Sequence, residues 1–199
     1  MSLIETIEAL CNESDENAAN TLAKIKTAIR KEKYPSLSDV ADGEHFFYNG
    51  IEFIRLGLEQ GGVLAVTANI AGEAPFDTNR CNDWRKSSLR KTLNTEFLAK
   101  LNADDLLPFV SDLTADNGDT AYGDCTDKVG ILSCDLYRKY RKYVPLFGEW
   151  MWTCTPWYCD DSGTAVNVRF VISDGTVHSC VAYISNGFAP ACIFTIRNH

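Results

Sequence analysis

No run of about 18 or more apolar residues occurs in the 199-residue chain, so no membrane-spanning helix is expected. Histidine is scarce, with 3 residues at 45, 178 and 199, and no Ser-His-Asp or Cys-His order is recognisable. Hydrolase chemistry is therefore not the expectation. Positive charge is also short: 19 basic side chains face 27 acidic ones, for a net charge of -8. Binding to a phosphate backbone needs concentrated positive charge, so nucleic acid is not the expected partner. The opening stretch, MSLIETIEALCNESDENAAN, has no basic n-region and no small-residue cleavage site. The expectation is synthesis in the cytoplasm without export by the usual route. The 8 cysteines include no C-x-x-C pair, and without an export signal they read as reduced thiols.

Apolar residues supply 45% of the composition, enough for one sizeable core. Residues 1–33 read as an N-terminal helical segment. Ile4, Ile7, Leu10 and Cys11, then Ala18, Leu22, Ile25 and Ile29, recur at helical spacing. Their stripe over 3–31 either packs on the main domain or joins a second copy of the chain. Tyr34-Pro35 stops the helix, and 32–43 reads as a linker.

The main domain, 43–199, begins with a three-stranded meander. His45–Tyr48 and Ile51–Leu56 flank Asn49-Gly50, whose type I′ turn needs positive φ at both positions. Gly61-Gly62 then turns the chain into Val63–Thr67. Residues 70–83 read as loop. Ser87 or Ser88 caps a helix with Leu89, Leu93, Phe97 and Leu101 on one face. A long loop over 102–130 leads to a second helix at 133–144, where Leu136, Tyr140 and Tyr143 are expected to face inward. The strand-like Trp150–Trp157 follows. A hairpin about Asp174-Gly175 joins Val166–Ile172 to Thr176–Ile184, and Ala191–Ile196 closes the chain. The fold class is α+β.

This order resembles the C-type-lectin-like arrangement, and particular residues strengthen the likeness. Trp84, Ser87, Leu89, Arg90, Leu93 and Asn94 resemble a W-x-x-S-x-(L/I)-R-x-x-L-N segment, and Asp127-Lys128-Val129 through Ser133 resembles a DKV-x-LLS step. Trp150–Pro156, the Asp174-Gly175 hairpin and Gly187–Cys192 are similar to three further motifs of the same family, with Ala189 where arginine is usual. That family, of unassigned function, is widespread in gut bacteria and their phages and prophages. The resemblance implies a lectin-like fold with an N-terminal helical appendage, a viral or prophage setting, no cofactor and no established chemistry. The expected function is non-enzymatic recognition of a surface glycan or protein, as a virion receptor-binding or decoration component. The alternative is an intracellular factor that binds a host protein.

Two surfaces are candidates for that recognition. Trp157 and Tyr158 border a polar loop, whereas Trp150 and Trp152 read as core. Asn167, Arg169, His178, Ser179 and Tyr183 mix donors, acceptors and an aromatic on the C-terminal hairpin, the region that carries ligand contacts in related lectin-like proteins. An ordinary solvated sheet face is the plainer reading, and alternation requires that only some of the five point outward. The Glu-Pro-Asn, Gln-Pro-Asp and Trp-Asn-Asp signatures of calcium lectins are absent, and Asp160-Asp161 falls short of the roughly six oxygens a calcium cage needs. Cys154 and Cys159, at C-x4-C spacing, resemble the cysteine pair of the formylglycine-generating oxidases. That likeness implies a copper-thiolate oxidase as a further alternative. The run Arg138–Tyr143 interleaves cations and aromatics and reads as a wet helix face.

Overall fold

The computed structural model describes residues 37–160, 162 and 164–196. The helical segment expected at 1–33, and with it the oligomer contact through 3–31, lies outside the described residues. The described part is mixed α+β, mostly sheet with few helices, and no described helix is long and apolar enough to cross a membrane.

The first sheet starts with the expected meander, β1 (His45–Tyr48), β2 (Ile51–Glu59) and β3 (Gly62–Thr67). Asn49 and Gly50 adopt φ 50 and 80, the left-handed pair that a tight hairpin requires. Five more strands follow that lie in stretches expected to be loop: β4 (Gly72–Pro75), β5 (Leu106–Leu107), the pair β6 (Phe109–Asp112) and β7 (Asp124–Asp127), and β8 (Val129–Gly130). The order β1-β2-β3-β13-β5 completes the first sheet, in which β13 (Ala191–Phe194) runs antiparallel to β3 and also pairs with β8. The strands β6 and β7 form a separate two-stranded sheet.

The remaining sheet has the order β11-β10-β9-β12-β4. It is built from β9 (Met151–Pro156), β10 (Asn167–Val171), β11 (Val177–Val181) and β12 (Ser185–Phe188), with β12 parallel to β9 and antiparallel to β4.

Strands β3 and β13 lie at the centre of the first sheet and are buried on both faces, as their unbroken apolar sequences require. Val63, Ala65, Cys192 and Phe194 face a core shared with the first helix and with Trp152, Cys154, Val168 and Phe170 of the second sheet. Leu64, Val66 and Ile193 face a second core completed by Tyr137, Tyr140 and Met151. The stretch 37–43, expected as linker, is tied down: Arg55 donates to the Leu37 carbonyl and to Asp42 Oδ1, and Gly43 donates to the Arg55 carbonyl at 2.7 Å. Gly43 is required there, because its φ is +91 and a Cβ would stand 2.6 Å from the Tyr143 ring.

Ser87 caps α1 (Ser88–Thr92) by accepting from Arg90 N. The helix continues as a π turn over Leu93–Phe97 and a 3₁₀ turn over Leu98–Lys100, and Leu89, Leu93, Phe97 and Leu101 are all buried as their spacing predicts. The second helix is shorter than expected. Ser133 caps α2 (Cys134–Lys139), whose buried side chains are Cys134 and Tyr137; Tyr140 is buried at its end, while Leu136 and Tyr143 are only half-buried. The expected inward residues Leu136, Tyr140 and Tyr143 all pack against the second core, and Cys134 and Tyr137 join the buried set although the helix stops four residues before Tyr143. The cations of this segment are held by partners: Lys139 by Glu59 at the end of β2, Arg138 by Asp135 one turn away, and Lys142, just past the helix, over the Tyr143 ring.

Candidate functional site

The W-x-x-S-x-L-R-x-x-L-N segment forms a bracket. Trp84 is fully buried among Phe76 and its neighbours. Arg90 donates from Nε and Nη2 to the two oxygens of Asp127, each at 2.8 Å, and from Nη1 to the Arg85 carbonyl. Asn94 joins helix to strand with all its capacity. Its Nδ2 donates to the Arg90 and Val129 carbonyls, and its Oδ1 accepts from the backbone of Lys128 and Val129. The Asp127–Val129 step is thus the other jaw of the same clamp. Asp83, fully buried, takes Arg85 on both oxygens. Burial raises its pKa, but the hydrogen bonds and charges of Arg85, with Lys86 beyond, leave it below the ordinary aspartate value. These motif residues build the interior.

The candidate recognition surface stands on a second, smaller frame. Asn82, also buried, donates to the carbonyls of Tyr158 and Asn167 at 2.9 and 3.0 Å. Its Oδ1 faces the Tyr122 hydroxyl at 2.9 Å, and that hydroxyl accepts from Asp160 N. Burial, opposed by the backbone contact with Asp160, pushes the Tyr122 phenol up to about 12 and keeps it neutral. The Asp160 carboxylate is held down to about 2 by hydrogen bonds from Ser162 and Thr164. The segment leaving β9 is thereby fixed at 157, 158 and 160, and Trp157 itself donates from its backbone to the Asn167 carbonyl.

Trp157 keeps 42% of its surface exposed. The Arg169 guanidinium lies over its ring at 5.1 Å, and Arg169 Nη2 pairs with Asp116 Oδ2 at 2.9 Å. Arg138 approaches the other oxygen of Asp116 at 3.9 Å. Arg169 Nε is buried with no hydrogen-bond partner among the described residues. The register of β10 on β11 sets Asn167 opposite Val181 and Arg169 opposite Ser179, so Asn167, Arg169 and Ser179 share one sheet face.

His178 is opposite Phe170 and so belongs to the other face, where its ring lies 6.3 Å from that of Phe170. Tyr183 stands beyond the end of β11 and receives the Arg80 guanidinium at 4.2 Å. Tyr158 is half-buried beside Trp157 in sequence. The structure therefore brings together Trp157, Asn167, Arg169 and Ser179 and separates His178 and Tyr183 from them. It adds Asp116, which the sequence reading did not single out, and Arg138, which it placed on a wet helix face. Which hairpin residues share a face depends on loop length: Ile172 and Thr176 bracket a three-residue loop at 173–175, whereas a two-residue turn at Asp174-Gly175 would have set His178 opposite Val171, on the Arg169 face. Neither that register nor the approach of Asp116 has a signature in the sequence.

Trp150 departs from the expected core position. It precedes β9, is 47% exposed and lies against Phe170 at 5.0 Å, whereas Trp152 is buried with its Nε1 donating to the Ala74 carbonyl. Cys154 is wholly buried and its thiol is pushed far up by burial. Cys159 is half-buried with Sγ donating to the Asp119 carbonyl at 3.5 Å. A protonated core thiol and a loop thiol form a poor soft-metal pair. Among the described residues no three His, Cys, Asp or Glu side chains are grouped to hold a metal ion. Comparison of the chain with protein-family models, curated proteins and solved structures finds no match.

Proposed function

We propose that the chain is a non-enzymatic binding protein with a C-type-lectin-like fold, encoded by a phage or prophage. Its Trp157–Arg169 face recognises a surface glycan, as part of a virion receptor-binding or decoration component. One observation carries this reading: a partly exposed indole is held by its own backbone bond to Asn167, by Asn82 on the neighbouring Tyr158 carbonyl and by a stacked guanidinium. An aromatic fixed before its ligand arrives loses little freedom on binding, and its face suits the apolar side of a sugar ring. Asp116, Ser179 and Asn167 supply acceptors and donors beside it. The order of motifs in the sequence supports the lectin-like frame and the phage setting. The burial of Cys154 weighs against the oxidase alternative.

The test is retention of the purified protein on intact cell envelopes and, separately, capture from cell lysate. Binding to envelopes that released surface glycan competes away, and that Trp157→Ala abolishes, is the expected result. Capture of one cytoplasmic protein with blank envelopes would replace this reading with the intracellular one.

A further inference from the structure

A depression of about 510 Å³ opens between the Asp77–Asn79 turn and α1, away from the contacts of the Trp157 face. Within a chain of net charge -8 it gathers Arg85, Lys86, Arg90 and Lys91. Its two carboxylates are already satisfied. Asp77 accepts from the backbone of Asn79, Cys81 and Ser88, and Asp127 is clasped by Arg90. Lys86 reaches Asp83 only at 3.5 Å and is exposed. Lys91 is exposed and makes no ion pair among the described residues. The Thr78 hydroxyl and the Asn79 carboxamide likewise have no partner there, and Ser88 Oγ accepts from Thr78 N and keeps its proton to donate.

We infer that this depression binds a phosphorylated sugar. Two ammonium groups at its rim supply charge to a compact dianion, which lysine serves as a point charge without demanding planar geometry. The Thr78, Asn79 and Ser88 side chains supply hydrogen bonds to sugar hydroxyls. The volume lies in the range of small-molecule sites, about 300–1,000 Å³, and exceeds what a bare ion fills. Nucleic acid fits worse, because the chain is acidic overall and only four of its 19 basic side chains line this depression.

Isothermal titration of the full chain with glucose 6-phosphate, glucose and inorganic phosphate tests the inference. The expected result is saturable binding of glucose 6-phosphate, at least tenfold tighter than either glucose or inorganic phosphate and weakening with added salt. The double variant Lys86→Gln/Lys91→Gln, made at exposed positions, should stay folded, with a small fall in melting temperature from the lost Lys86–Asp83 contact, and lose at least tenfold in affinity. Unchanged affinity in that variant would overturn the site. Equal affinity for inorganic phosphate would overturn the sugar, and absence of saturable binding would overturn both. The Trp157 face is untouched by this variant, so failure here leaves the envelope experiment standing.

Discussion

In the bracket of Trp84–Asn94 with Asp127–Val129, Arg90 lies on Asp127 with each guanidinium nitrogen directed at an acceptor, and Asn94 uses both ends of its amide on the backbone of helix and strand. At the hairpin face Arg169 also meets an aspartate, yet its Nε is left without a partner among the described residues and the indole stacked on it stays open to solvent. The same residue types serve closure in one place and presentation in the other. The closed region holds the residues of the sequence segment Trp84–Asn94 and the step Asp127–Val129. A polar group sealed inside must be matched atom for atom, which restricts its identity far more than exposure does. The presented face has to be found from geometry.

The largest effect is expected where the clamp is cut. Asn94→Leu removes four hydrogen bonds and leaves the Lys128 and Val129 amides and the Val129 carbonyl without that partner. Stranded buried backbone groups cost about 1–3 kcal/mol each, with partial relief from water, so a loss of about 3 kcal/mol in urea denaturation is expected. A loss under about 1 kcal/mol would break the comparison, since the clamp would then hold nothing together.

Acid sharpens it next. Burial raises the Asp83 pKa, but Arg85 and Lys86 more than offset this, so the folded value lies below the unfolded one of about 3.9. A lowered carboxylate contributes stability that is complete above about pH 4 and is lost as the pH falls through the folded value. Asp83→Asn should therefore lower stability near neutrality and flatten its decline on the acid side, read as denaturation midpoints between pH 7 and pH 2. A decline as steep as that of the unaltered protein would show that Asp83 titrates alike in both states.

The sequence discloses the parts of this architecture that rest on local chemistry. Asn49-Gly50 declares its turn, Ser87 and Ser133 declare their caps, and the four-residue steps from Leu89 to Leu101 declare a buried face. The strands β4, β5 and β8 are two to four residues long, and β4 carries Gly72 and Pro75. They exist because distant partners pair with them: β4 lies on β12 and β5 on β13, across more than eighty residues. No local pattern reports such partners. The position of Trp150 was hidden for a related reason, since alternation with Trp152 holds only inside a strand and β9 begins at Met151. Of the site, Trp157 was legible from the aromatic run. The pairing of Arg169 with Ser179 depends on the three-residue loop 173–175, and Asp116 is brought in from the loop after β6; neither has a local signature.

The smallest stability effect is expected at Trp157, and it decides whether the two regions differ in kind. An exposed cation–π contact is worth about 0.5–1 kcal/mol, and Trp157→Ala gives up that contact with Arg169 and half an indole of burial. The backbone bond from Trp157 N to Asn167 O survives the substitution, as do the bonds of Asn82. The frame should stand, with a loss near 1 kcal/mol in denaturation, while glycan retention falls by tenfold or more, as for an anchor residue at an interface. If Trp157→Ala instead costs as much stability as Asn94→Leu, the indole is a structural wedge. The presented face would then have to be sought where Trp150 and His178 flank Phe170 on the other side of the same sheet.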